Sequence, residues 1–246
     1  MLSIYTAIDK TTTDAILPTI CYTGTEYGEW ETLFKKLNTF KNNVEKKLHI
    51  YCLEPALIGA PEFWWALNGR YMQELIDRFK FYSPCVGCRL YCYAVMIPLC
   101  NQIHCGQILC SRTSGSLSSS AINECSRVLY YCKSLLSSFG INLLCCEPDD
   151  KKQKYIDIET KKNKTCRDDT CSSCILKDNF LRLFNDEKKF TLPENRKFFE
   201  HYAIPSTAKI ISRVLAGKPV NYQQEVFNTL RPEKNIKLKK DTAESL

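Results

Sequence analysis

The sequence predicts an α/β protein: a Rossmann-like parallel sheet with helices on both faces, followed by a cysteine-containing, mainly helical C-terminal region. Two observations carry this. Short apolar, β-rich runs alternate with stretches of helical periodicity up to Cys145, the pattern of strands joined by crossover helices. The 246 residues, 44% hydrophobic and 25% charged, are enough for one large domain or a core with an appendage, in an ordinary globular composition.

Pro18 to Thr23 (PTICYT) reads as the first of these strands and ends at Gly24. Trp30 to Lys47 then places Leu33, Phe34, Leu37, Phe40 and Val44 near a 3.6-residue period and predicts a helix. Leu48 to Leu53 reads as a second strand and Glu54 to Pro61 as a loop. Phe63 to Phe79 is apolar at helical spacing through Trp64, Leu67, Tyr71, Leu75 and Ile76, with Pro84 interrupting the helix that follows. Cys92 to Cys100 predicts a buried helix, Gln107 to Ser111 a third strand, Ala121 to Phe139 a helix and Ile141 to Cys145 a fourth strand.

From Glu147 the sequence becomes charged and thinly apolar, which marks a boundary. The expected organisation is an α/β domain over 1–150, a helical cysteine-containing region over 151–232 and a flexible tail over 233–246. In the C-terminal region Phe180, Leu181 and Phe184 form one apolar face, and Ala208, Ile211, Val214 and Leu215 another.

Fifteen cysteines form the main chemical signal. The N-terminus MLSIYTAIDK lacks the charged segment, apolar core and cleavage site of a secretory signal, so a disulfide scaffold is not expected. The longest apolar run, Leu90 to Cys100, is too short to cross a bilayer, and a cytoplasmic location without membrane contact is expected. Cys85-x-x-Cys88 and Cys171-x-x-Cys174 each bring two thiols within reach of one ion, with Cys166 as a spare ligand. Structural zinc and an iron–sulfur cluster both fit this set, and reduced, metal-free structural cysteines are the competing reading. Cys92 and Cys100 read as packing residues. His49, His104 and His201 are isolated and read as surface or core histidines.

Two strand-to-helix loops suit phosphate binding. Ser114, Gly115 and Ser116 could present amides and hydroxyls at a helix N-terminus, and Thr23 and Gly24 lie at the edge of a parallel sheet where ligands bind. Each also reads as an ordinary turn. A net charge of +7 favours polyanionic partners, with the lysines from Lys151 to Lys164 and Arg167 as one basic tract, which a solvated connector would explain equally well. Trp64, Trp65 and Tyr71 beside Arg70 could stack a base, or could simply belong to the core.

At the cysteine segments the sequence resembles the PP-loop ATP pyrophosphatase superfamily, of the adenine nucleotide alpha hydrolase type, which includes tRNA thiolation and sulfur-transfer enzymes and 7-cyano-7-deazaguanine synthase. CVGCRLYCYAVMIPLC resembles the central Cys-x-x-Cys segment of the thiolation branches. TCSSCILKDNF and PTICYTGTEYGEWE resemble the C-terminal cysteine segment and the second strand of the deazaguanine synthase branch. The family's Ser-Gly-Gly-x-Asp-Ser loop is missing or degenerate: only Lys10-Thr11-Thr12-Thr13-Asp14-Ala15 stands near its place.

The resemblance implies an ATP-dependent adenylating enzyme, or a degenerate relative, that modifies tRNA or a nucleobase-like small molecule, with sulfur transfer as one form of the chemistry. ATP with magnesium would be bound through Ser114, Gly115, Ser116, Thr23 and Gly24. Cys85 and Cys88 would act as sulfur-bearing nucleophiles or as ligands, and Cys166, Cys171 and Cys174 would complete a zinc or iron–sulfur site. A homodimer stays open. The alternative is a non-catalytic, metal-stabilised RNA-binding module.

Overall fold

Two strand–helix–strand units and a layer of helices make up the computed structural model, which describes residues 13–80, 82–111, 126–146, 173–174 and 193–231. Mixed α/β architecture is thereby established. Among the described residues the hydrogen-bonded ladders join strands in pairs.

The first unit opens with β1 (Ala15–Ile16) and β2 (Thr19–Tyr22), passes through the short β3 (Glu26–Tyr27) and the helix α1 (Trp30–Leu48), and closes with β4 (Tyr51–Cys52) and β5 (Ala56–Gly59). β1 pairs with β4 and β2 with β5, both in parallel, with Thr19 opposite Ala56 and Tyr22 opposite Gly59. The two ladders follow one another along the same pair of segments, with the register shifted between them. Between them Pro18 and Pro55 lack the amide hydrogen that a continuous ladder needs, while Leu53 N donates to Ile16 O at 2.8 Å and Ala56 N to Pro18 O at 2.9 Å across the gap. α1 ends at His49, which turns left-handed (φ 55°), so Leu48 closes the helix and the following strand is confined to Tyr51–Cys52. The segment 54–61 expected as a loop contains β5, whose pairing with β2 supplies what its four residues lack locally.

The expected helix from Phe63 to Phe79 is two helices, α2 (Pro61–Asn68) and α3 (Met72–Phe79). The break at 69–71 leaves carbonyls at the end of α2 without helical partners, and two tyrosines satisfy them. Tyr202 donates to Leu67 O at 2.5 Å and Tyr82 to Asn68 O at 2.6 Å. Pro84 starts α4 (Pro84–Ala94) rather than interrupting a helix, since a missing amide hydrogen costs nothing in a first turn. α5 (Met96–Gln102) follows almost directly.

The second unit is β6 (Gln107–Ser111), α6 (Ser126–Ser137) and β7 (Asn142–Cys146), with β6 and β7 parallel and Cys110 opposite Cys145. β8 (Ser173–Cys174) pairs antiparallel with β3. The C-terminal helices are α7 (Pro193–Phe198), a π-helical turn over Phe199–Ala203, α8 (Ile204–Leu215) and α9 (Tyr222–Leu230). Pro205 accounts for the π turn, because its ring collides with the carbonyl four residues back and it cannot donate to it.

One main core joins both regions. Phe63, Trp64, Leu67, Leu90 and Leu135 are buried together with Phe198, Phe199, Tyr202, Ile211 and Val226. Aromatic contacts fix the joint: Phe63 stacks on Tyr222 at 5.5 Å and Tyr131 on Phe199 at 4.4 Å. Phe40, Val44 and Cys52 form a smaller cluster under α1. No helix among the described residues is long and apolar enough to cross a membrane.

Candidate functional site

Because β2 and β5 run in parallel, Tyr22 and Gly59 end on the same edge, and the Tyr91 hydroxyl of α4 ties the two ends together. It donates to Tyr22 O at 2.7 Å and accepts from Ala60 N at 2.6 Å. At the same place the backbones approach so closely that a Cβ on Gly59 would lie 2.3 Å from Tyr22 O.

Immediately beyond this edge the loop Thr23–Gly24–Thr25 folds around a carboxylate. Thr23 N reaches Glu26 Oε1 at 2.9 Å, Gly24 N reaches Oε2 at 2.9 Å and Thr25 N reaches Oε2 at 3.1 Å. The Thr23 hydroxyl adds a bond to Oε1 at 2.7 Å. Three successive amides converging on one anion form a nest, and Gly24 supplies the left-handed residue it needs (φ +86°). Thr23 and Gly24, expected to bind nucleotide, are therefore placed in an oxyanion-binding loop whose present occupant is Glu26.

Thiols surround this loop. Cys21 Sγ donates to Cys92 O at 3.2 Å, and the Cys92 thiol lies close enough to those of Cys21 and Cys88 for each to shift its pKa. Cys88 is also acted on electrostatically by the Glu26 carboxylate. Its pKa is held well above the ordinary thiol range, chiefly by the hydrogen bond to Cys92 and then by burial. Cys92 is raised too, first by Cys21. Cys85 is half-buried one turn earlier in α4, beside Tyr82, whose pKa is pushed up to about 12 by burial and then by that thiol. From the other side, Cys174 pairs with Glu26 in the β3–β8 ladder, and its sulfur lies 3.3 Å from the Thr25 hydroxyl.

Thr23, Gly24 and Cys174 are thus gathered around Glu26 at one strand edge, with Cys88 within its electrostatic reach. Ser114, Gly115, Ser116, Cys166 and Cys171 lie outside the described residues. Among the described residues no three histidines, cysteines or carboxylates are grouped to hold a metal. Cys85, Cys88 and Cys174 face different neighbours, so any metal here draws further ligands from outside the described set. Sequence reasoning missed Cys21 and Glu26, and read Cys92 as packing. A cysteine one helical turn after Cys88 was the available signal for Cys92, since residues four apart share a helix face.

The glycine of the Cys85–Cys88 segment has a packing role. A Cβ on Gly87 would stand 1.7 Å from Asn68 Oδ1, so a larger residue there would push α4 off the end of α2.

No protein-family model matches the protein, and no solved structure matches it. It is similar to an uncharacterized protein of Methanocaldococcus jannaschii, at 29% identity over 139 residues, covering 53% of this sequence and 48% of that protein. The match thus spans about half the length of that curated relative.

Proposed function

We propose that the protein is an ATP-dependent adenylating enzyme of tRNA or nucleobase modification, built on a Rossmann-like sheet and working at the β2–β5 edge. The observation that carries this reading is the Glu26 carboxylate in the amide nest of Thr23, Gly24 and Thr25. A loop that wraps a carboxylate has the donors to wrap a phosphate, and it lies beside thiols that suit sulfur chemistry.

In this reading the nucleotide, carrying magnesium, displaces Glu26 from the nest. The carbonyl oxygen of the base attacks the α-phosphorus and pyrophosphate leaves. The Cys88 thiolate then attacks the activated carbon and AMP departs, after which hydrosulfide or ammonia attacks the same carbon, loses a proton and displaces the Cys88 thiolate, leaving the modified base. Cys88 is the thiol assigned to this step, and with its pKa raised it is neutral at pH 7. The carboxylate of Glu26, once freed from the nest, is the base assigned to take its proton, being the carboxylate that acts on Cys88. Cys85, Cys166, Cys171 and Cys174 serve as ligands for zinc or an iron–sulfur cluster, which would supply a rigid clasp or an open site for sulfur.

The test is pyrophosphate release by the full-length protein, purified anaerobically, with magnesium, ATP and bulk tRNA. Release above the tRNA-free background is expected, and Cys88→Ser, which acts after pyrophosphate has left, should keep that release and lose the later release of AMP. Metal-replete protein that releases none under these conditions favours the RNA-binding module.

A further inference from the structure

The second strand–helix–strand unit carries a separate pair of thiols. Cys110 of β6 and Cys145 of β7 are register partners in a parallel ladder, and Cys110 Sγ donates to Cys145 Sγ at 3.4 Å. Both are half-buried against the main core. Arg89 of α4 acts electrostatically on both thiols, on Cys132 of α6 and on Cys92.

Among the described residues Arg89 is a cation without an anion. No carboxylate is among the groups acting on it, its Nε is buried without a hydrogen-bond partner, and its guanidinium lies 5.2 Å from the Tyr93 ring. Tyr93 is 4% exposed, and its hydroxyl has no hydrogen-bond partner among the described residues, with Cys110 among the groups acting on it. Two buried donors without partners, within electrostatic reach of a pair of thiols, are groups that thiolates would satisfy, because buried cations and donors are otherwise paired.

We infer that Cys110 and Cys145 form a two-coordinate site for a soft monovalent d10 cation, copper(I) in chemical class, with Arg89 as its counter-charge. Zinc would need four ligands, and no group of three is present among the described residues. Thiolates select soft ions. On binding, two S–H bonds break and two metal–sulfur bonds form. Both protons pass to solvent, and no oxidation state changes. Two thiolates and one monovalent cation sum to one negative charge, which Arg89 cancels. Arg89 Nε–H and the Tyr93 hydroxyl become donors to the thiolates, the outer-shell support that metal ligands ordinarily have.

The probe is copper(I) delivered anaerobically from a coloured copper(I) chelate to the full-length protein, reading stoichiometry and competition with the chelator. Cys110→Ser and Cys145→Ser should each lose the same single equivalent, and the double variant should lose no more than either. Arg89→Met should keep the stoichiometry and bind about 10- to 100-fold more weakly. Cys88→Ser should leave this equivalent in place. Unchanged stoichiometry in both single variants, or additive losses in the double, would overturn the site. Should the variants fold poorly, alkylation of the wild-type protein decides: copper(I) should slow modification of Cys110 and Cys145 together, and an unchanged rate at either contradicts the proposal.

Discussion

The Glu26 carboxylate is bound to Thr23 through both the amide and the hydroxyl, at 2.9 and 2.7 Å to the same oxygen. An internal anion that fills an anion site competes with any external one. Glu26→Ala should therefore strengthen binding of ATP and of inorganic pyrophosphate. The folded state should lose about 1–3 kcal/mol, since the amides are left unpaired until ligand arrives. Calorimetric titration beside a urea melt checks both. Weaker nucleotide binding in this variant would mean that Glu26 holds the loop together rather than occupying a ligand's place.

Tyr91 joins the ends of β2 and β5 through one hydroxyl. Tyr91→Phe keeps the ring packing and strands Ala60 N–H and Tyr22 C=O, so a loss of about 1–3 kcal/mol in urea unfolding is expected. Nucleotide affinity should fall with it, because the same bond sets the edge from which the nest projects.

Gly87→Ala introduces a methyl group into space held by Asn68. The strain should cost about 1–3 kcal/mol. Gly87→Ala/Asn68→Ala should recover part of it, and a double-mutant cycle by thermal unfolding measures the coupling.

Alkaline pH should destabilise the protein under reducing conditions. Burial raises Cys145 and Cys100 from an ordinary value of 9.0 to about 11. The folded state thus holds protons that the unfolded state releases, so the stability is fully present below pH 9 and is lost as pH rises through about 11. Urea unfolding at stepped pH should show that fall, and Cys100→Ala should make it shallower.

How far the sequence revealed the molecule depended on whether the determining contact was local. β2 and β6 were legible because β-branched and apolar residues run together between turn-forming neighbours. β5 was not, because its four residues lie between prolines and owe their extension to β2, far earlier in the sequence. Helical periodicity runs unbroken from Phe63 to Phe79, and it concealed a break whose carbonyls are satisfied by Tyr202 and Tyr82. At the site, spacing drew attention to Cys88 and the loop composition to Gly24. Cys21 escaped notice because its partner Cys92 is 71 residues away. Glu26 escaped because an acidic residue in a loop reads as solvated until the amides around it are seen.

The central claim, that the Thr23–Gly24–Thr25 nest holds a nucleotide phosphate, is tested most directly by equilibrium dialysis of labelled ATP with magnesium against the full-length protein. The account predicts saturable binding that pyrophosphate competes away and that Thr23→Val, which deletes the hydroxyl donor, weakens about tenfold, the loss of one strong hydrogen bond to a charged group. Absence of saturable binding, or binding indifferent to Thr23→Val, would contradict it.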